Sequence, residues 1–262
     1  MVLQLMALVA ALAAVPLQTE PQSSAAGSIH APFTALLHDN TQHGLVDYDA
    51  FTKSLEFPVY LQSLASARID SWPKSDRLAY WLNVYNAYTI QLINLHKERE
   101  SVRNINMFLG VLRGKGPWKE EIVKAAGRVY SLDDVEKMIR AEFKDPRVHM
   151  AMARATLSSP PLREEAYEGS KINAQLDDQT RTYLRDRQTI NRLDLGNSIL
   201  YASEIFDWFH ADFGKGNTGI LKFFAPYFEG AGERFAFEGS KLTIEFSEYD
   251  WRLNILQPRV TQ

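Results

Sequence analysis

Apolar positions fall into blocks of differing period along the chain, and the period of each block predicts its element. "FTALLHD" from Phe33 and "VDYDAFTKS" from Val46 predict two short amphipathic helices. "FPVYLQSLAS" predicts a third, with Pro58 in the first turn, where a missing N–H does no harm. A long helix follows, capped by Ser75 or Asp76 and running to about Glu98. Its centre, "YWLNVYNAY" over Tyr80–Tyr88, is aromatic on most faces. Yet Asn83 and Asn86 share one stripe with Ala79 and Ile90.

Past the glycines and proline of "GKGPW" the period changes. "EEIVKA" and "RVYS" flank Gly127 and predict a hairpin. Ser131, with Asp134 three residues on, predicts a capped helix to about Phe143. "DPRVHMAMA" predicts a buried segment, which Pro160 and Pro161 end. "SKINAQLDDQTRTYLRDR" predicts an amphipathic helix, and "TINRLDLGNSILY" two strands and a turn. "SEIFDWFHADF" and "TGILKFFAPYF" predict helices, and "RFAFEGSKLTIEFSEYDW" a closing hairpin that turns at Gly239. The class is α+β: a mostly helical single domain over residues 31–262 with small antiparallel β-hairpins.

The opening run "MVLQLMALVAALAAVPLQ" is apolar and uncharged, and small polar residues follow it. This predicts a signal peptide over residues 1–26, with Ser24 and Ala26 placed as cleavage-site residues, and a flexible linker over 27–30. The expected location is periplasmic or extracellular. An uncleaved anchor is the alternative, although the run falls short of the roughly 20 residues that span a bilayer. The first Lys or Arg is Lys53, so the usual positive lead is missing. No later segment is apolar enough to span, so none is expected after signal removal.

Of 262 residues, 45% are hydrophobic and 23% charged, which permits a sizeable core. The net charge of -3 lacks the basic footprint of a nucleic-acid partner. There is no cysteine, which excludes disulfides, thiol nucleophiles and thiolate metal sites. No histidine pair at ligand spacing suggests a metal, and nothing implies a cofactor.

"VDYDAF", "LAYWLNVYNAYTI", "RVYSLDDVE", "DPRVHMAMA" with "SSPPLREEAY", "SEIFDWFHADF" and "YDWRLN" occur in that order. In these blocks the chain resembles the domain of unknown function 547 family from about Ala31 to Asn254. The resemblance implies an exported bacterial domain, a fold and a site location, without a reaction. Resembling sequences read "HFALNCGAKSCPPL" where this chain reads "HMAMARATLSSPPL". Arg154 and Ser159 thus stand at the two cysteine positions, and Ala153 where asparagine is common. Whether those cysteines imply thiol chemistry or a disulfide stays open, and this chain has neither.

Each candidate residue has a plain reading beside the functional one. Asn83 and Asn86 either bond to neighbouring backbone or line a pocket with the rings of Trp81 and Tyr85. His149 is either a core residue or a general base for a serine or water. Ser158 and Ser159 are either turn residues or nucleophiles, with no nucleophile elbow around them. Asp133, Asp134 and Glu136 read most simply as caps and helix-dipole partners. Arg154 must reach solvent, pair with a distant carboxylate, or face an anion cleft. The expected function is an exported domain, without thiol chemistry, that binds a small polar ligand, a peptide or a protein partner. The alternative is a hydrolase or transferase that uses His149.

Overall fold

The computed structural model describes residues 25–105, 116–186, 189–239 and 242–257. The elements in order are α1 (Ala25–Asn40), β1 (Thr41–Gln42), β2 (Leu45–Val46), α2 (Tyr48–Lys53), α3 (Glu56–Ser66) and α4 (Lys74–His96). The pair β3 (Val123–Ala125) and β4 (Arg128–Tyr130) precedes α5 (Leu132–Phe143), α6 (Val148–Ala151) and α7 (Ile172–Arg181). The rest is β5 (Arg192–Asp194), β6 (Ile199–Ser203), α8 (Ile205–Trp208), α9 (Gly216–Phe224), α10 (Ala231–Glu238) and β7 (Thr243–Ser247). The fold is the expected mostly helical α+β class.

The spine is α4. Every residue from Leu78 to Ile90 is buried, so it has neighbours on all sides rather than one apolar stripe. Helices α1, α2, α3, α5 and α7 and strand β3 pack around it. The hairpins follow their turn chemistry. His43 and Gly44 both have positive φ (50° and 80°), as do Ala126 and Gly127 (47° and 74°), which is the twist that two-residue hairpins need. A methyl group at Gly44 would collide with Pro161, so this turn packs directly on the loop after α6. Ser131 and Asp134 form a reciprocal capping box on α5.

A second apolar cluster is built from Tyr183, Leu200, Ile205, Phe206, Phe213, Ile220 and Phe224. The chain then returns to the first cluster. Bridges pair Val46 with Ile255, Ser101 with Arg252 and Thr156 with Leu253. Asn254 fastens this strap, accepting from the Tyr48 hydroxyl (2.6 Å) and donating to the Gly44 carbonyl (2.7 Å).

Three expectations need correction. The linker expected over 27–30 is helical: it lies inside α1, and His30 is buried with Nδ1 2.9 Å from the Tyr60 hydroxyl. The signal-peptide expectation falls almost wholly on residues 1–24, outside the described residues. Ser75 and Asp76 do not cap α4, which starts a residue earlier behind Pro73 with no side-chain cap. The closing hairpin does not form either. Gly239 caps α10, donating to the Phe235 carbonyl (3.0 Å), so it ends a helix rather than turning a strand. β7 pairs parallel with β6, and antiparallel β5 completes a three-stranded sheet.

Candidate functional site

The two asparagines of α4 are spent on backbone. Asn83 donates from Nδ2 to the Tyr167 carbonyl and accepts at Oδ1 from the Tyr167 N–H, both at 2.8 Å. Asn86 donates to the Ala151 carbonyl (3.0 Å) and accepts from the Ala153 N–H (2.9 Å). Each amide therefore mimics a strand partner for a stretch of chain that has no strand beside it. One turn of helix apart, they hold both ends of the loop between α6 and α7. Their exposures of 1% and 3% leave no wet wall for a ligand. Tyr85 is fully buried and accepts from Trp118 Nε1 (3.0 Å), so it too is enclosed.

His149 has no solvent exposure. Its Nε2 lies 2.8 Å from Asp212 Oδ2, and that oxygen also accepts from Arg140 Nε (2.5 Å). Burial, then the nearby Arg154 charge, lowers the imidazole pKa to about 3 against the pull of Asp212. The ring is therefore neutral, with the proton on Nε2 facing a carboxylate that can only accept. Although the separation fits an ion pair, it is a hydrogen bond to an uncharged ring. Burial opposes the Asp212 charge, yet bonds from Arg140 and His149 hold its carboxyl below the usual range. Nδ1 has no partner.

Arg154 takes the second of its three options. Its Nη2 donates to Glu136 Oε2 (3.1 Å) and Nη1 to the Met152 carbonyl (3.2 Å), with 7% exposure. Burial disfavours its charge, but Glu136 together with Tyr85 and Tyr249 offsets that and raises its pKa above the ordinary value. The Phe209 ring meets two guanidiniums, Arg140 at 4.5 Å and Arg154 at 5.2 Å, with the His149 ring 4.5 Å away. Glu136 and Arg140 come from α5, His149 from α6, Arg154 from the next loop, and Phe209 and Asp212 from the turns after α8. The network thus bolts the second cluster onto the first. Glu136, expected to serve as a dipole partner, is its pivot; Asp212 and Phe209 gave no local signal of a role.

The serines are structural in the same sense. Ser158 Oγ accepts from the Asp250 N–H (2.8 Å), and Ser159 Oγ accepts from the Arg154 N–H (2.6 Å). That last bond joins the two positions where resembling sequences carry cysteine, closing the loop without a covalent link. The predicted residues do converge, but as a sealed framework. Among the described residues, no His, Asp or Glu group is arranged to hold a metal, and no helix is long and apolar enough to cross a membrane.

The neutral buried histidine carries a pH prediction. The folded pKa of His149 lies below its unfolded value, so the unfolded chain binds more protons once pH falls through about 6.5. Stability should fall with acidification from there toward about pH 3, by up to about 1.4 kcal/mol per pH unit. His30, lowered to about 4 by burial, adds a similar slope. Urea unfolding of His149→Gln between about pH 6.5 and 5 should show roughly half the loss of the parent.

An open concavity lies elsewhere. A groove of about 810 Å³ runs between α1, the β1–β2 turn, the loop after Pro161 and α7. Thr34, His43, Arg163, Glu164, Glu165 and Asp178 line it. No residue from the asparagine pair or the His149 network reaches it.

Residues 69–184 match the family model described as "Protein of unknown function, DUF547". The match runs from the approach to α4 into the turn after α7, and so takes in both asparagines, Glu136, Arg140, His149 and Arg154. The resemblance is shown over this central stretch. No curated protein and no solved structure matches the chain.

Proposed function

We propose that this chain is an exported binding domain, not a hydrolase, and that it meets a small polar ligand, a peptide or a protein partner at the groove beside α7. The observation that carries this reading is the enclosure of His149. A general base must reach the proton it takes, and here the ring is sealed, neutral and bonded to a carboxylate that Arg140 also holds. Ser158 and Ser159 spend their hydroxyls on the Asp250 and Arg154 N–H groups, and His149 Nδ1 has no partner. A screen against peptide, ester and glycan substrates should show no turnover above background in the parent or in His149→Ala. Turnover present in the parent and lost in the variant would establish the hydrolase or transferase alternative.

Export rests on the apolar first block and the small residues after it. Cleavage after Ala26 would leave α1 all but two of its residues. Mass spectrometry of the protein from its native host should find an N-terminus at or near Gly27. An intact Met1 in the cytosolic fraction would contradict export.

A further inference from the structure

Helix α10 divides its apolar residues between two opposite sides. Phe237 is buried, and Ala236 packs on the second cluster beside it. Glu233, on the same side, accepts from Arg185 (2.9 Å). Phe235 instead stands 77% exposed, more than Trp208 (41%) or Phe246 (37%). A helix advances about 100° per residue, so Phe235 and Gly232 share the outward face. Leu195, 49% exposed in the turn between β5 and β6, lies at the edge of that face. A methyl group on Gly232 would meet its Cδ1 at 3.6 Å. Phe235, Gly232 and Leu195 thus make one apolar patch from two separate stretches of chain. Single exposed apolar side chains are ordinary, but a contiguous patch with a polar rim marks an interaction site.

The rim says what the partner is. Arg234 and Glu238 lie one turn apart along one flank of the patch. Both are exposed, and neither side chain makes a hydrogen bond or ion pair among the described residues. Opposite charges at this spacing pair best when the acid comes first; here the base leads and the two stay apart. Their charges cancel, so the rim selects neither a cationic nor an anionic surface. It matches a copy of itself.

A twofold axis perpendicular to α10 beside Phe235 runs two copies of the helix antiparallel and sets each flank against its own equivalent. Arg234 of each copy then faces Glu238 of the other, which gives two ion pairs. The two Phe235 rings lie side by side, with room over Gly232, where no side chain stands. We infer that this face of α10 is the contact surface of a homodimer, with a second copy of the chain covering Phe235. None of these residues lines the groove beside α7, so the inference does not depend on what that groove binds.

A contact of this small extent gives a weak, reversible dimer, half formed at about 10–100 µM. Sedimentation equilibrium of the full chain up to about 500 µM covers that range. Phe235→Ser should raise the dissociation constant at least about tenfold. Arg234→Glu and Glu238→Arg should each do the same, because each sets like charges opposite one another. Mixed together, those two charge variants should associate to within about threefold of the parent, since every facing pair is again of opposite sign. Val59→Ser, which removes another exposed apolar side chain (68%) on α3, should change nothing. Thermal unfolding of each variant checks that the fold is intact. A monomer throughout the range would overturn the inference. So would a dimer indifferent to Phe235→Ser, a mixture no better than either charge variant alone, or an equal loss in Val59→Ser.

Discussion

Glu136→Leu is expected to lower the unfolding free energy by about 3–5 kcal/mol, because it strands the buried Arg154 guanidinium. Arg154 would keep only the Met152 carbonyl and the face of Phe209. Desolvation sets the size of the effect, not the attraction lost: an unpaired charge in the interior costs more than the pair ever contributed. The double variant Glu136→Leu with Arg154→Met removes both charges and keeps apolar volume. It should lie within about 1–2 kcal/mol of the parent, on either side. Chemical denaturation of the parent, the two single variants and the double variant gives the coupling directly. Additive single effects would mean that the two side chains do not depend on each other.

The second large effect is expected at α4. Asn86→Leu leaves the Ala151 carbonyl and the Ala153 N–H buried without partners. At about 1–3 kcal/mol for each stranded group, the loss should total about 2–6 kcal/mol. Asn83→Leu strands both backbone groups of Tyr167 and should cost a similar amount. A ligand-lining amide behaves oppositely, since leucine in a partly wet wall holds or raises stability. The two outcomes differ in sign, so melting curves separate them. The two asparagines touch different ends of one loop, and their effects should fall short of additivity if the loop opens as a unit.

Much of this was legible in the order of residues because local chemistry decided it. The Ser131–Asp134 cap of α5 and the turn at Gly127 rest on contacts within a few residues, and the burial of the Tyr80–Tyr88 helix follows its dense run of aromatic and apolar residues. The closing segment misled for the opposite reason. Arg234–Glu238 alternates well enough for a strand, but Glu233 accepts from the Gly230 N–H (2.9 Å) and from Arg185 (2.9 Å), and these bonds favour a helix start. One of them crosses 48 positions. The site divides the same way. That Asn83, Asn86, His149 and Arg154 belonged to one region could be read, but their partners could not. Tyr167, Asp212 and Glu136 lie 84, 63 and 18 positions from the groups they bind. Nothing in "FHADF" distinguishes Asp212 from a solvated acid until α5 and α6 are placed beside it. The groove carboxylates gave no signal either, since "LREEAY" reads as ordinary surface.

The central claim is that the signature of α4 builds a framework, with each amide standing in for a strand that the loop lacks. Amide hydrogen exchange at Ala153 and Tyr167 tests it most directly, because those two N–H groups donate to Asn86 and Asn83 and belong to no helix or strand. In the parent, both should exchange as slowly as the centre of α4, near the limit set by global unfolding. In Asn86→Leu, exchange at Ala153 should quicken by at least about a hundredfold, which corresponds to about 2.7 kcal/mol, while the α4 centre shifts only with global stability. Exchange at Ala153 and Tyr167 in the parent as fast as in an exposed loop would contradict the account.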